Sequence, residues 1–414
     1  MNEFQNNSEN KEKKMDYDSL NDAYLKLEDK YLKLREQYEE QNRELQFVRN
    51  QFNEISNAFF WKISKPIRSI ITPVKLALKT FGADKRRKGK KAAPAGDTLL
   101  RLFEKKHIVI LTTVHTLYVA KLIGDALKKI DIESKTLTEE PEIYEDFLYI
   151  VVCPQMFKRM PDFYIAFQME QTISTRWFDQ NYLDKLENAY AVFDYSISNI
   201  DSFKKHSLFC NRLCYLPIDL HPSIINTTES YDYDVLFYGD TECPRRREFL
   251  QQIQKRFKIK ILYNVFGIEL ENEIKKAKIV VNIHYYENSL LETTRLYEVL
   301  SLGRSVIVSE RSSDSVEEKK LDGIVDFVDT WDIESLIEQI DYWLSHENER
   351  KEFVNRNNNI LSSRSNSFYS YFYRFLFSNN LIGFDLFREL AGDYFTLNSN
   401  RICLSLPEYD SAQQ

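Results

Sequence analysis

Ten short apolar runs, grouped as five and five, constrain the fold of this chain more than any other feature. HIVILTT (107–113), FLYIVVC (147–153), FYIAFQM (163–169), YAVFDYS (190–196) and RLCYLPI (212–218) form the first series. YDVLFYG (233–239), IKILYNV (259–265), KIVVNIH (278–284), SVIVSE (305–310) and GIVDFV (323–328) form the second. Continuous apolar runs of this length read as buried strands, and the helical patterns between several of them are those of parallel α/β sheets. The polar stretch NTTESYD separates the two series. The expected fold is therefore α/β, with two Rossmann-like domains in tandem at 99–228 and 229–345. A chain of 414 residues accommodates two such domains and an appendage. Residues 346–414 read as helical and aromatic, with the potential to return onto the first domain.

The appendage lies at the amino end. Residues 1–17 are polar and expected to be disordered. From Leu20 the apolar positions Leu20, Tyr24, Leu27, Tyr31, Leu34, Tyr38, Leu45, Val48, Phe52 and Ile55, with Gln41 among them, alternate in steps of four and three. That spacing is the seam of a left-handed coiled coil over 18–58, which implies a homo-oligomer formed through residues 20–55. The alternative is a single amphipathic helix lying on the protein's own body. Residues 59–98 read as a basic amphipathic linker. FFWKISKPIRSIITPVKLALKTFG (59–82) interleaves aromatic and aliphatic groups with lysine and arginine, and KRRKGKK follows at 85–91. Such a segment suits the surface of an anionic membrane, the alternative for KRRKGKK being a solvated linker.

The first residues lack the apolar stretch of a secretory signal, and nowhere do 18 apolar residues run together. The expectation is a cytoplasmic protein held peripherally on the inner face of the cell membrane. Its five cysteines are scattered and read as reduced thiols. A net charge of −7 argues against a general nucleic-acid partner.

Ligands of open α/β sheets bind beyond the carboxyl ends of strands, so candidate residues are sought there. Gly239 ends one run and is followed by Arg245, Arg246 and Arg247 at an expected helix start. A glycine admits a phosphate to the backbone and guanidiniums pair with its oxygens, although three arginines opening a helix also suit a solvated face. In NIHYYENSLLETTRLYEVLSLGRSVIVSE (282–310), a strand ends at His284, Glu292 lies in the loop, and a helix is expected from about Leu291 to Leu302 with Gly303 as its cap. Arg295 and Glu298 share one face of that helix, either at a nucleotide site or as a surface ion pair.

TTRLYEVLSLGRSVIVSE resembles the donor-site helix of GT-B glycosyltransferases, above all those of bacterial polysaccharide assembly, and FYGDTECPRRREF resembles their phosphate-side loop. YIAFQMEQTISTRWFDQNYLDKLENAYAVFDYSISNI and NAFFWKISKPIRSI resemble the first-domain segment and the linker found after coiled coils in the same group. The likeness spans roughly residues 57–385. It implies that Glu298 binds the ribose of a nucleotide sugar and that Arg295 faces its diphosphate, within a donor side comprising Gly239, Arg245, Arg246, His284, Glu292, Arg295 and Glu298. Retaining members of the family often carry a second glutamate eight positions before the first, which here is Leu290. An inverting mechanism would draw its base from the first domain, where Glu170 and His115 stand just beyond strand ends. Glu170 also fits a structural role, bound to backbone amides.

The implied activity is transfer of a sugar from a nucleotide-diphosphate donor to a glycan or lipid-linked acceptor during cell-surface polysaccharide assembly. No cofactor and no metal are expected, because basic side chains and helix amino ends neutralise the leaving diphosphate. Asp232 and Asp234 alternate around Tyr233 but enter a strand and are assigned no metal. The competing expectation is a non-catalytic assembly protein with degenerate domains.

Overall fold

Both faces of a parallel sheet are covered by its crossover helices, and the strands of this protein are apolar for that reason. The computed structural model describes residues 95–172, 178–205, 212–221 and 230–391. The expected disordered segment, the coiled coil and the linker up to residue 94 lie outside the described residues, as does the chain beyond Ala391.

The first sheet contains β1 (His107–Leu111), β2 (Glu133–Leu137), β3 (Leu148–Val152), β4 (Tyr164–Gln168), β5 (Val192–Asp194) and β6 (Leu213–Tyr215), all parallel in the order β2-β1-β3-β4-β5-β6. β3 and β4 are buried at every position. β2, ESKTL, has no apolar run because it is an edge strand whose residues are all exposed or half-buried, and the sequence pattern passes over it. The helix Ala95–Phe103 begins inside the segment assigned to the linker and buries Leu99, Leu102 and Phe103 in the first core.

The second sheet contains β7 (Tyr233–Tyr238), β8 (Ile259–Leu262), β9 (Ala277–Asn282), β10 (Val306–Glu310) and β11 (Asp326–Val328), parallel in the order β11-β10-β9-β7-β8. The architecture is α/β with two Rossmann-like parallel sheets, as expected from the sequence. In each sheet the first strand has the second on one side and the third on the other, so the chain reverses its winding there. The crevices at these switch points lie between β1 and β3 and between β7 and β9.

All described residues belong to one compact unit that starts at Ala93. Its lobes meet around Tyr118, whose hydroxyl lies 2.8 Å from the Asp219 carbonyl and 2.7 Å from the Ser301 hydroxyl and accepts from the His221 N–H at 3.0 Å. Gln171 Oε1 accepts from the Leu290 N–H at 2.8 Å. After the second sheet, the helix Ser367–Ser378 returns to the first lobe. Phe372 and Phe375 meet the Phe193 ring edge-on at 6.2 and 4.8 Å, and the Tyr373 hydroxyl donates to the Ala126 carbonyl at 3.0 Å.

Candidate functional site

A cavity of about 740 Å³ opens between the lobes, lined from β1 and β3 by His115, Thr116, Cys153 and Met156, and from β7 and β9 by Tyr238, Gly239, Glu292 and Arg295. Both switch points therefore face one space. The helix Thr293–Leu300 directs its amino end into it, where Thr293 and Thr294 line the wall. The buried Thr293 hydroxyl has no hydrogen-bond partner among the described residues.

Arg295 is held on two sides. One of its Nη atoms donates to Asn282 Oδ1 at 2.8 Å and pairs with Glu292 Oε2 at 2.6 Å. The ion pair of this helix thus forms one turn back, at Glu292, and leaves Glu298 to accept from the Tyr238 hydroxyl at 3.1 Å. Gly239 makes this packing possible. Its φ is +132°, and a Cβ there would come within 2.9 Å of Arg295 Nη2, a position that no other residue occupies without displacing the guanidinium.

Arg246 lies beneath the same loop, where it donates from Nε to the Ile283 carbonyl at 2.9 Å, from Nη1 to the Asp240 carbonyl at 3.1 Å and from Nη2 to Glu292 Oε1 at 3.0 Å. Burial alone would raise the Glu292 carboxyl, but the Arg295 and Arg246 guanidiniums outweigh it and hold the group well below the usual carboxylate range. Glu292 is therefore an ionised brace between two arginines. Glu298 behaves oppositely. Burial pushes it up to about 7, against the opposing hydrogen bond from Tyr238.

Arg245 and His284, grouped with these residues in the sequence, lie behind the cavity wall, His284 Nδ1 standing 3.8 Å from Glu292 Oε1. Arg245 forms a buried, bidentate ion pair with Glu310, donates to the His284 carbonyl at 2.8 Å and lies under the Trp331 ring at 4.5 Å. His284 is fully buried, with its N–H on Glu310 Oε2 at 2.9 Å. Neither lines the cavity. Of the three arginines, only Arg247 has the solvated position that a charged helix start suggests.

On the opposite wall, Glu170 is half-buried and its Oε1 accepts from Gln155 Nε2 at 2.7 Å. Its main chain is also gripped: the carbonyl accepts from Gln168 Nε2 at 2.7 Å and from Asn199 Nδ2 at 2.9 Å. His115 stands at the exposed rim, its Nε2 3.2 Å from the Thr113 hydroxyl, and partial desolvation lowers its pKa, favouring the neutral imidazole. Leu290, where a retaining enzyme would show a glutamate, is a fully buried core residue.

Sequence reading missed Tyr238, Asn282 and Thr293. Asn282 left a trace, since an amide interrupts the apolar KIVVNIH run where the strand meets the ligand side. Tyr263, Asn264 and Phe266, which line the cavity beyond β8, left none because a loop of mixed composition has no period.

No protein-family model and no curated protein match the chain. Among solved structures it is similar to a DNA-modifying beta-glucosyltransferase studied with and without uridine diphosphoglucose, at 13% identity and TM-score 0.41, covering 62% of this chain and 94% of the other. It is similar to HepE from Anabaena in complex with UDP and glucose, at 12% identity and TM-score 0.42, covering 62% and 95%. A T4 phage beta-glucosyltransferase in complex with UDP and Mn2+ gives 14% identity and TM-score 0.42, covering 62% and 94%. At such identities the likeness is one of strand and helix layout.

Proposed function

We propose that this protein is a glycosyltransferase that moves a sugar from a nucleotide-diphosphate donor to a glycan or lipid-linked acceptor in cell-surface polysaccharide assembly. One observation carries the reading: the helix Thr293–Leu300 lines the interlobe cavity with Arg295 and Glu298 and with Thr293 and Thr294 at its amino end. A helix amino end and a guanidinium suit a diphosphate, and a carboxylate one turn further along suits the ribose hydroxyls. The named neighbours were solved with UDP or UDP-glucose, and UDP-sugars are the first donors to try. The net charge of −7 favours a glycan or lipid-linked acceptor over nucleic acid.

With Leu290 in the core, the reading favours inversion. Glu170 takes the proton of the acceptor hydroxyl as that oxygen attacks the anomeric carbon and the nucleotide diphosphate departs, His115 being the other candidate base. Arg295 and the helix amino end meet the charge that grows on the leaving diphosphate, so no metal and no cofactor are required. The coiled coil of residues 20–55 and the basic segment of 59–91 hold the enzyme as a homo-oligomer on the inner face of the cell membrane.

The deciding experiment combines UDP binding by calorimetry with nucleotide release from UDP-sugars, in the presence and absence of a chelator. Binding weakened by Glu298→Ala and turnover that survives chelation support the proposal. UDP binding unaffected by both Glu298→Ala and Arg295→Ala overturns the donor site, and binding without turnover on any donor favours a non-catalytic assembly protein.

A further inference from the structure

We propose that Asp194 is a positioning residue for Glu170, acting through Gln168 and Asn199 to set the main chain that carries the carboxylate on the cavity wall. The assignment rests on the reading of Glu170 as the base. Asp194 closes β5 and Gln168 closes the neighbouring β4, and both are fully buried, as is Asn199.

Gln168 uses both ends of its amide. Its oxygen accepts from the Glu170 N–H and from the Tyr182 hydroxyl at 3.0 Å, while Nε2 donates to the Glu170 carbonyl and to Asp194 Oδ2, each at 2.7 Å. Asn199 Nδ2 donates to the same carbonyl at 2.9 Å and to Asp194 Oδ1 at 3.2 Å, and its oxygen accepts from the Thr172 N–H at 2.8 Å. Two amide side chains therefore clasp the Glu170 peptide units, and each turns its NH2 toward Asp194.

An amide can rotate by half a turn about its last bond, exchanging donor and acceptor at little steric cost. The groups that reach the Asp194 oxygens, Gln168 Nε2, Asn199 Nδ2 and the Ser196 N–H, are all donors, so the carboxyl holds Gln168 in the orientation in which its Oε1 faces the Glu170 N–H. Packing does not explain a charge-bearing group here. No ion pair engages Asp194 among the described residues, and burial pushes it up to about 8 despite the donors Ser196, Asn199 and Gln168 around it. A buried acid without a cation is costly, and an aliphatic side chain would serve a core position better. The second lobe also joins the network, since the Ser196 hydroxyl donates to Asp314 Oδ2 at 2.6 Å while the Ser196 N–H donates to Asp194 Oδ1 at 2.8 Å.

The test is a double-mutant cycle in the full chain. Asp194→Asn and Gln168→Met are made singly and combined with Glu170→Gln. Nucleotide release is followed from UDP-, GDP- and dTDP-sugars, and UDP affinity is measured separately. Each single variant is expected to lose about tenfold to a hundredfold in kcat while its UDP affinity and donor KM stay at the wild-type level. In the Glu170→Gln background neither should cost anything further, because a residue that acts through Glu170 has nothing left to position. Losses that multiply through the double variants, or wild-type kcat in folded Asp194→Asn, overturn the assignment, and Gln168→Met decides it should Asp194→Asn fail to fold. Wild-type turnover in Glu170→Gln, or no release from any donor by the wild-type protein, instead removes the underlying reading of the site and the assignment with it.

Discussion

The Tyr238 hydroxyl donates to Glu298 Oε2 across 3.1 Å, tying the last residue of β7 to the helix that faces the cavity. The bond stabilises the ionised carboxylate, yet burial still leaves Glu298 titrating at about 7. The group is therefore poised between two states near neutral pH.

That balance should appear in binding. A ribose hydroxyl donates best to an ionised carboxylate, so affinity for a nucleotide sugar should rise as pH climbs from 6 to 8. Glu298→Gln should flatten the profile and weaken binding at pH 8 by about 1.5 to 3 kcal/mol. In the free protein, a pKa raised on folding adds stability below the ordinary glutamate range and loses it as pH rises through 7. Melting curves of the wild type and Glu298→Gln should therefore converge at low pH, draw apart as pH rises from the ordinary glutamate range to 7 and keep that gap above it, with the variant the more stable.

Arg245 and Arg295 should respond in different assays. Arg245→Ala strands Glu310 in the core and should cost about 3 to 5 kcal/mol of stability, with little change in UDP affinity wherever the protein remains folded. Arg295→Ala should reduce UDP affinity by at least tenfold with a smaller loss of stability. Calorimetry beside thermal melts checks both, and a reversed pattern would exchange their roles.

Gly239→Ala adds one methyl group to a left-handed position against Arg295. The backbone strain and the displaced guanidinium should together lower UDP affinity about tenfold or more. Restored affinity in a Gly239→Ala, Arg295→Lys double variant would locate the conflict at the arginine.

The amino-terminal appendage makes two separable claims. Replacing Leu27 and Leu34 with Asp should give monomers by light scattering. Deleting residues 59–91 should release the protein from anionic vesicles while leaving UDP binding intact, whereas salt should release it only in part. Equal sedimentation of intact and truncated protein with such vesicles would reduce the segment to a spacer.

Fold and site were legible to different depths, for a physical reason. Strands covered on both faces must be apolar throughout, so β1, β3, β4, β7 and β9 announced themselves, whereas the edge strand β2 has one side open to water and carries ESKTL. The Thr293–Leu300 helix was legible from its Arg and Glu spacing. Its partnerships were not: the sequence does not say that Arg295 turns to Glu292 and Asn282, or that Arg245 turns away to Glu310, because these choices depend on how β9 and β10 lie beside the arginine-bearing helix. Gln168 and Asp194 stood in plain view as polar residues ending apolar runs, but only the sheet order brings them together.

The return of the helix Ser367–Ser378 to Phe193 has a consequence for biosynthesis. The first lobe cannot be finished until residues 367–378 have left the ribosome, because Phe372, Phe375 and Tyr373 complete its core. A nascent chain arrested before residue 367 would present Phe193 and its neighbours uncovered. Such a chain should engage chaperones through the first lobe, while the face of the second sheet around Phe237 and Phe249, which draws on residues up to Val354, already has all its residues.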